Sequence, residues 1–222
     1  MSLVITPFLM IGIFAVFVVL IVAAAARQSK RTAENFRQMA ATLGLPFEDK
    51  PPVMGLFYAG PKMAGPLRGK HVELFPFSTG AGKSRVQWCA VSAAPSVASR
   101  LTFHLRRQGF GTKLMELFGT KEIQVGEAEF DRTWFIQTNQ PDYFRTALLP
   151  ELREKINVLV RESGTQARGM EFKLDQNGVR YAEMGTFSDS GRCKRCVRVV
   201  EIVCDLADLA EVFSEQTPAN PA

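Results

Sequence analysis

The chain has 222 residues, 46% of them hydrophobic and 22% charged, with a formal net charge of +5. That is room for one or two domains with a buried core, a single domain being the simpler arrangement. The charge balance is modest. The four cysteines, Cys89, Cys193, Cys196 and Cys204, are reduced thiols and no disulfide framework if the domain is cytoplasmic.

The first 26 residues carry no charged side chain, and Phe8 to Ala26 is a run of 19 almost wholly apolar residues. As a helix it is about 28 Å long, close to the ~30 Å hydrocarbon thickness of a bilayer. A core helix of a soluble protein would carry a polar stripe, and this run has none. A cleaved secretory signal is the rival reading. It asks for basic residues before the apolar run, whereas Arg27, Lys30 and Arg31 come after it. The expectation is an uncut transmembrane helix contacting the lipid bilayer through Phe8–Ala26. The positive-inside bias then leaves the N-terminus outside and the C-terminal domain cytoplasmic at the cell membrane.

Residues 28–43 continue as a helix with Phe36, Met39, Ala40 and Leu43 on one face and Gly44 as its stop. Residues 45–66, rich in proline and glycine, read as an irregular linker. The period then becomes two. Strands are expected at 68–77, with Val72 and Leu74 inward, and at 84–93, with Val86, Trp88 and Ala90 inward. A third follows at 100–107, where Leu101, Phe103 and Leu105 alternate with Thr102, His104 and Arg106. Residues 113–118 read as a short helix or turn, and 122–126 and 131–138 as further strands.

Residues 140–162 hold two short helices divided before Pro150, because proline disfavours helix in the residue ahead of it. Residues 169–185 form a hairpin with Asn177-Gly178 at its tip. In the last element, apolar residues at 193, 196, 197, 200, 203, 204, 207 and 210 make one helical stripe. Lys194, Arg195, Arg198, Glu201, Asp205, Asp208 and Glu211 occupy the other face, and Ser190 is the expected cap. Its β-branched valines and its cations-first charge order argue for a strand followed by a helix from 205, but one long helix is the preferred reading.

Three motifs suggest chemistry. "STGAGKS", 78–84, resembles a phosphate-binding loop, but Phe77 stands where that loop needs glycine. "SRVQWCAV" after it alternates as a strand, where phosphate binding needs a helix N-terminus. A hairpin tip is the expectation, with no nucleotide bound. Cys193-x-x-Cys196, with Cys204 beyond, is a metal or thiol-redox candidate, yet lacks a second ligand pair. Core packing is the preferred reading. His71 and His104 lie singly in strands, and basic residues at 100–107 and 192–198 lack the interleaved aromatics of a nucleic-acid platform. No catalytic residue, no cofactor and no nucleic-acid partner are assigned.

Residues 126–156 combine Phe130-Asp131, the aromatic strand Trp134-Phe135-Ile136, and Leu148-Leu149-Pro150 opening a helix with Leu152. In this pattern the chain resembles an uncharacterised family of bacterial membrane-anchored proteins. The resemblance implies no activity, and its residues read as core. The Gly-rich loop and the C-x-x-C depart from it.

The sequence therefore describes an α+β protein with an N-terminal transmembrane helix and one domain whose mostly antiparallel sheet of six or seven strands is packed by helices. The expected divisions are an anchor at 1–27, a juxtamembrane helix and linker at 28–66, a cytoplasmic domain at 67–215 and a loose tail at 216–222. This layout fits a non-catalytic accessory or scaffold subunit of a membrane assembly with an unidentified membrane protein partner, an energy-transducing complex among the possibilities. A thiol-based metal or redox sensor at Cys193 and Cys196 is the alternative.

Overall fold

The computed structural model describes residues 5–48, 61–108, 122–164 and 169–216. Helix α1, Ile5–Leu43, is one unbroken helix of 39 residues. Its lower part packs Phe36, Met39 and Ala40 into the core, as the sequence pattern requires. Its upper part does not pack at all. Phe14, Phe17 and Leu20 are each at least 60% exposed, and no described residue covers the stretch from Gly12 onward that is long and apolar enough to cross a membrane.

Eight strands form one sheet, in the order β1-β2-β3-β4-β8-β7-β5-β6, all antiparallel. They are β1 (Phe47–Glu48), β2 (Lys62–Leu67), β3 (Lys70–Thr79), β4 (Val86–Ala94), β5 (Phe103–Arg107), β6 (Trp134–Thr138), β7 (Glu171–Asp175) and β8 (Gly178–Met184). A single row of paired residues crosses all of them: Phe47, Met63, Leu74, Val91, Tyr181, Phe172, Leu105 and Ile136. All but Phe47 are buried. Because side chains alternate along a strand, this one row fixes which face of every strand is the core face.

Helices lie on that face. They are α2 (Ala128–Thr133), α3 (Pro141–Ala147), α4 (Pro150–Ser163) and α5 (Ser190–Gln216), with the end of α1 beside α5. Phe103 meets Phe144 of α3 with ring centroids 5.1 Å apart, and the Trp134 indole donates to Asn157 Oδ1 of α4 at 3.2 Å. Tyr143 donates to the Leu209 carbonyl at 2.7 Å, fixing α3 against α5. The break between α3 and α4 falls where Pro150 dictates it, and Pro150 takes the first helical position, where its missing N–H costs nothing. The other sheet face carries a polar row of Glu73, Ser92, Arg180, Lys173, His104 and Gln137, beside a row that includes Phe75 and the buried Ala90, Ala182 and Phe135.

Several sequence expectations change. Residues 45–66 are not wholly irregular, since β1 and the edge-proximal β2 lie within them, and 49–60 fall outside the described residues. Residues 122–126 are no strand: Ile123 makes an isolated bridge to Ile136. In β4 the inward phase shifts by one residue. Cys89, Val91 and Ala93 face the helices, while Val86 and Trp88 point to the other side. The continuous apolar run Cys89-Ala90-Val91 hides that phase in the sequence. The short helix or turn expected at 113–118 and most of the tail lie outside the described residues.

The Gly-rich segment is a hairpin tip. Gly82–Ser84 make one 3-10 turn, Ser84 donates to the Ala81 carbonyl at 2.8 Å, and β4 follows directly. Gly80 has φ +76, and a β-carbon there would stand 2.4 Å from the Ser84 carbonyl oxygen. Lys83 is exposed. Lys83→Ala is therefore expected to change stability by no more than about 0.5 kcal/mol in a thermal melt.

Candidate functional site

Strand β8 alternates Val179, Tyr181 and Glu183 onto the core face, so a carboxylate is carried into an apolar layer. Glu183 is wholly buried. An isolated carboxylate there is strongly disfavoured, and donors from three residues converge on it. Tyr181 Oη donates to Oε2 at 2.9 Å, Arg192 Nε to Oε1 at 3.1 Å, and Arg195 Nε to Oε2 at 3.2 Å, with Arg195 Nη2 also on Oε1. Arg192 and Arg195 come from the first turns of α5 and are themselves buried.

The turn between β8 and α5 is shaped around these arginines. Gly185 has φ +130, and a β-carbon there would stand 2.4 Å from the Arg192 guanidinium carbon. Arg192 Nη1 donates to the Thr186 carbonyl at 3.2 Å, and Asp189 Oδ1 accepts from the Arg192 N–H at 3.1 Å. Asp189, not the expected Ser190, is thus the cap of α5. Asn35 of α1 donates to the Phe187 carbonyl at 2.7 Å, and Phe36 and Phe187 rings meet edge to face at 4.6 Å. The charge cluster and the base of α1 therefore share one corner.

The cluster explains the charge order of α5. Cations at a helix start oppose its dipole. Here the Glu183 carboxylate and Asp189 offset that cost. Arg195, expected on the solvent face, is buried, because α5 lies between the sheet, α1 and α4. Sequence reasoning missed Glu183, Arg192 and Arg195. The signal was present as an acid in the inward phase of β8 and two arginines at the start of an otherwise apolar helix.

All four cysteines are free and buried. Cys193 donates to the Phe187 carbonyl at 3.3 Å and Cys89 to the Gly185 carbonyl at 3.5 Å. Burial pushes the Cys193 thiol up to about 12 and raises those of Cys89, Cys196 and Cys204 as well. Thiolate, the nucleophilic and metal-binding form, is disfavoured in such surroundings. Among the described residues no three His, Cys, Asp or Glu side chains are grouped to hold a metal. A place at the helix start predicts partial exposure for Cys196, but it is as deeply buried as Cys204. Cys196→Ser and Cys204→Ser are thus expected to lower stability by similar amounts, on the order of 1–3 kcal/mol where the hydroxyl finds no partner. Paired thermal melts check this.

The two histidines lie apart on the polar face. His104 Nε2 is 3.0 Å from Glu171 Oε2 and His71 Nε2 is 3.3 Å from Glu73 Oε1. Hydrogen bonding from His104 holds the Glu171 carboxyl below its ordinary value.

A cleft of about 670 Å³ opens at the same corner, between α1, the ends of β3 and β4, and the Gly185–Phe187 turn. Gln28, Ser29 and Thr32 form one wall, Arg85 and Gln87 another, and Trp88 lies in it with its ring stacked on Phe77 at 5.9 Å. The Trp88 indole donates to Thr79 Oγ1 at 2.8 Å.

Fold and site together define an α+β protein with one antiparallel sheet, helices on one face and a projecting apolar N-terminal helix. No family model matches the chain, and no curated protein matches it. Among solved structures it is similar to the crystal structure of the mycobacterial trehalose monomycolate transport factor A, TtfA, at 14% sequence identity and a TM-score of 0.43, over 88% of this chain and 98% of that one.

Proposed function

We propose that the protein is a single-pass, non-catalytic accessory subunit of a membrane assembly. Residues 1–27 are the anchor, and the sheet domain at 67–215 lies on the cytoplasmic surface as a scaffold. One observation carries the reading: the apolar part of α1 is left uncovered by the described residues, while the same helix continues without a break into the core at Phe36 and Met39. A lipid bilayer would cover the first part, and the second would hold the domain at a fixed attitude to it. Arg27, Lys30 and Arg31 on the domain side favour a cytoplasmic location for that side. The paired state of Glu183 and the raised thiols support a structural role for this corner over a thiol-sensor role. The cysteines are read as core. The test is affinity purification of the full chain from gently solubilised membranes. An integral membrane protein retained in constant ratio is the expected result, and a chain that purifies alone contradicts the proposal.

A further inference from the structure

The cleft beside α1 lies where the apolar stretch of the helix ends. Ala25, Gln28, Ser29 and Thr32 line it, directly after the exposed apolar residues that end at Val22. From Ala25 to Thr32 the helix rises about 10 Å, and the headgroup layer on one side of a bilayer is about 5–7 Å deep. If α1 spans, the mouth of the cleft is at headgroup depth and its far end reaches the domain.

Its lining suits a molecule that is apolar at one end and anionic at the other. Trp88 and Phe77 offer an aromatic surface, and tryptophan is the residue that favours the membrane interface. Gln28, Ser29, Ser78 and Gln87 place amide and hydroxyl groups along the walls. Arg85 lines the cleft, and among the described residues it makes no ion pair and no carboxylate lines the cleft. Arg27, Lys30 and Arg31 lie on the same turns of α1, are exposed, and make no ion pair among the described residues. Elsewhere on the domain, cations such as Lys70, Lys155 and Arg198 are paired with acids. Arg100, Arg107, Arg132 and Lys194 also make no ion pair among the described residues, but none of them lines the cleft, where Arg85 is the cation.

We propose that this cleft binds the headgroup of an anionic phospholipid drawn from the bilayer that α1 crosses, with Arg85 taking the phosphate and Trp88 lying against the glycerol and upper acyl chain. The assignment rests on the reading of α1 as a membrane span.

The test uses the full chain, purified in detergent and incubated with phosphatidylglycerol or phosphatidylcholine, with retained lipid counted by native mass spectrometry. Phosphatidylglycerol should be retained at one per chain and about fivefold more tightly, the factor that corresponds to roughly 1 kcal/mol for one basic residue near an anionic surface. Arg85→Ala should bring it to the phosphatidylcholine level, and Arg85→Lys should keep most of the preference. Lys83→Ala, a cation on the same hairpin but outside the cleft, should change it little. Equal retention of the two lipids overturns the site, as does an equal loss in Lys83→Ala, which would mark diffuse attraction. Displacement by free glycerol phosphate would show a simple anion site and also overturn it. Alkaline extraction of membranes separates this from the parent reading. A chain that stays with the bilayer but shows no lipid preference loses only the cleft assignment, and a chain that is extracted loses both.

Discussion

Glu183→Ala is expected to lower the melting temperature of the full chain by about 10 °C. The substitution leaves Arg195 buried without its counter-charge, Arg192 with only Asp189 at 3.4 Å, and the Tyr181 hydroxyl without its acceptor. Breaking a buried pair by removing one partner costs about 3–5 kcal/mol. In a domain of this size each kcal/mol is worth roughly 2–4 °C. Glu183→Gln should cost nearly as much, because it keeps shape and hydrogen-bonding oxygen but not the charge. The combination of Glu183→Leu, Arg192→Leu and Arg195→Met should recover much of the stability, since apolar residues of similar volume often replace a buried ion cluster without penalty. A Glu183→Ala melt within 2 °C of the parent, on the same scale, would mean that water reaches the arginines and that the cluster is not closed.

Phe36→Ala has the second largest expected effect, and a different one. Phe36 is wholly buried, its ring 4.6 Å from Phe187 and 5.6 Å from Phe47. Truncation should cost about 3–5 kcal/mol through reduced burial and the cavity left behind. The Phe36 ring joins α1 to the β8–α5 turn and to β1, so the damage should be local. Hydrogen exchange is expected to rise first in the lower part of α1 and at Thr186–Phe187, ahead of β4, β7 and β8 at the sheet centre. A uniform rise across the sheet would instead make α1 part of one cooperative unit with it.

What the sequence disclosed follows from how far each signal reaches along the chain. The apolar run of α1, the Pro150 break and the hairpin at Asn177-Gly178 are local, and the structure agrees with the first two and moves the hairpin tip by one residue, to Gln176-Asn177, with Gly178 paired to Asp175. The first two strands were hidden because β1 has two residues and β2 contains Pro66. Pro66 pairs with His71 of β3 but lies beyond the stretch of β2 that pairs with β1, so its missing N–H leaves no ladder bond unmade there. The phase of β4 was hidden because small apolar residues occupy both faces at Cys89–Val91. The Glu183 cluster joins the end of one hairpin to the start of the last helix, and its members read separately as surface charge. The cleft takes residues from five stretches spread between Ala25 and Phe187. No periodicity or motif spans that distance, so only the folded chain brings it into view.

The claim on which the account turns is that α1 crosses the bilayer and holds the sheet domain on the cytoplasmic side. Substituted-cysteine labelling tests it most directly, because all four native cysteines are buried and leave little background for a bulky maleimide. One variant carries Val19→Cys in the exposed apolar stretch, and a second carries Lys83→Cys at the exposed hairpin tip. In intact cells a membrane-impermeant maleimide is expected to label neither. After lysis without detergent it should label Lys83→Cys fully while Val19→Cys stays protected. Labelling of Lys83→Cys in intact cells would place the domain outside, and labelling of Val19→Cys without detergent would mean that α1 does not span.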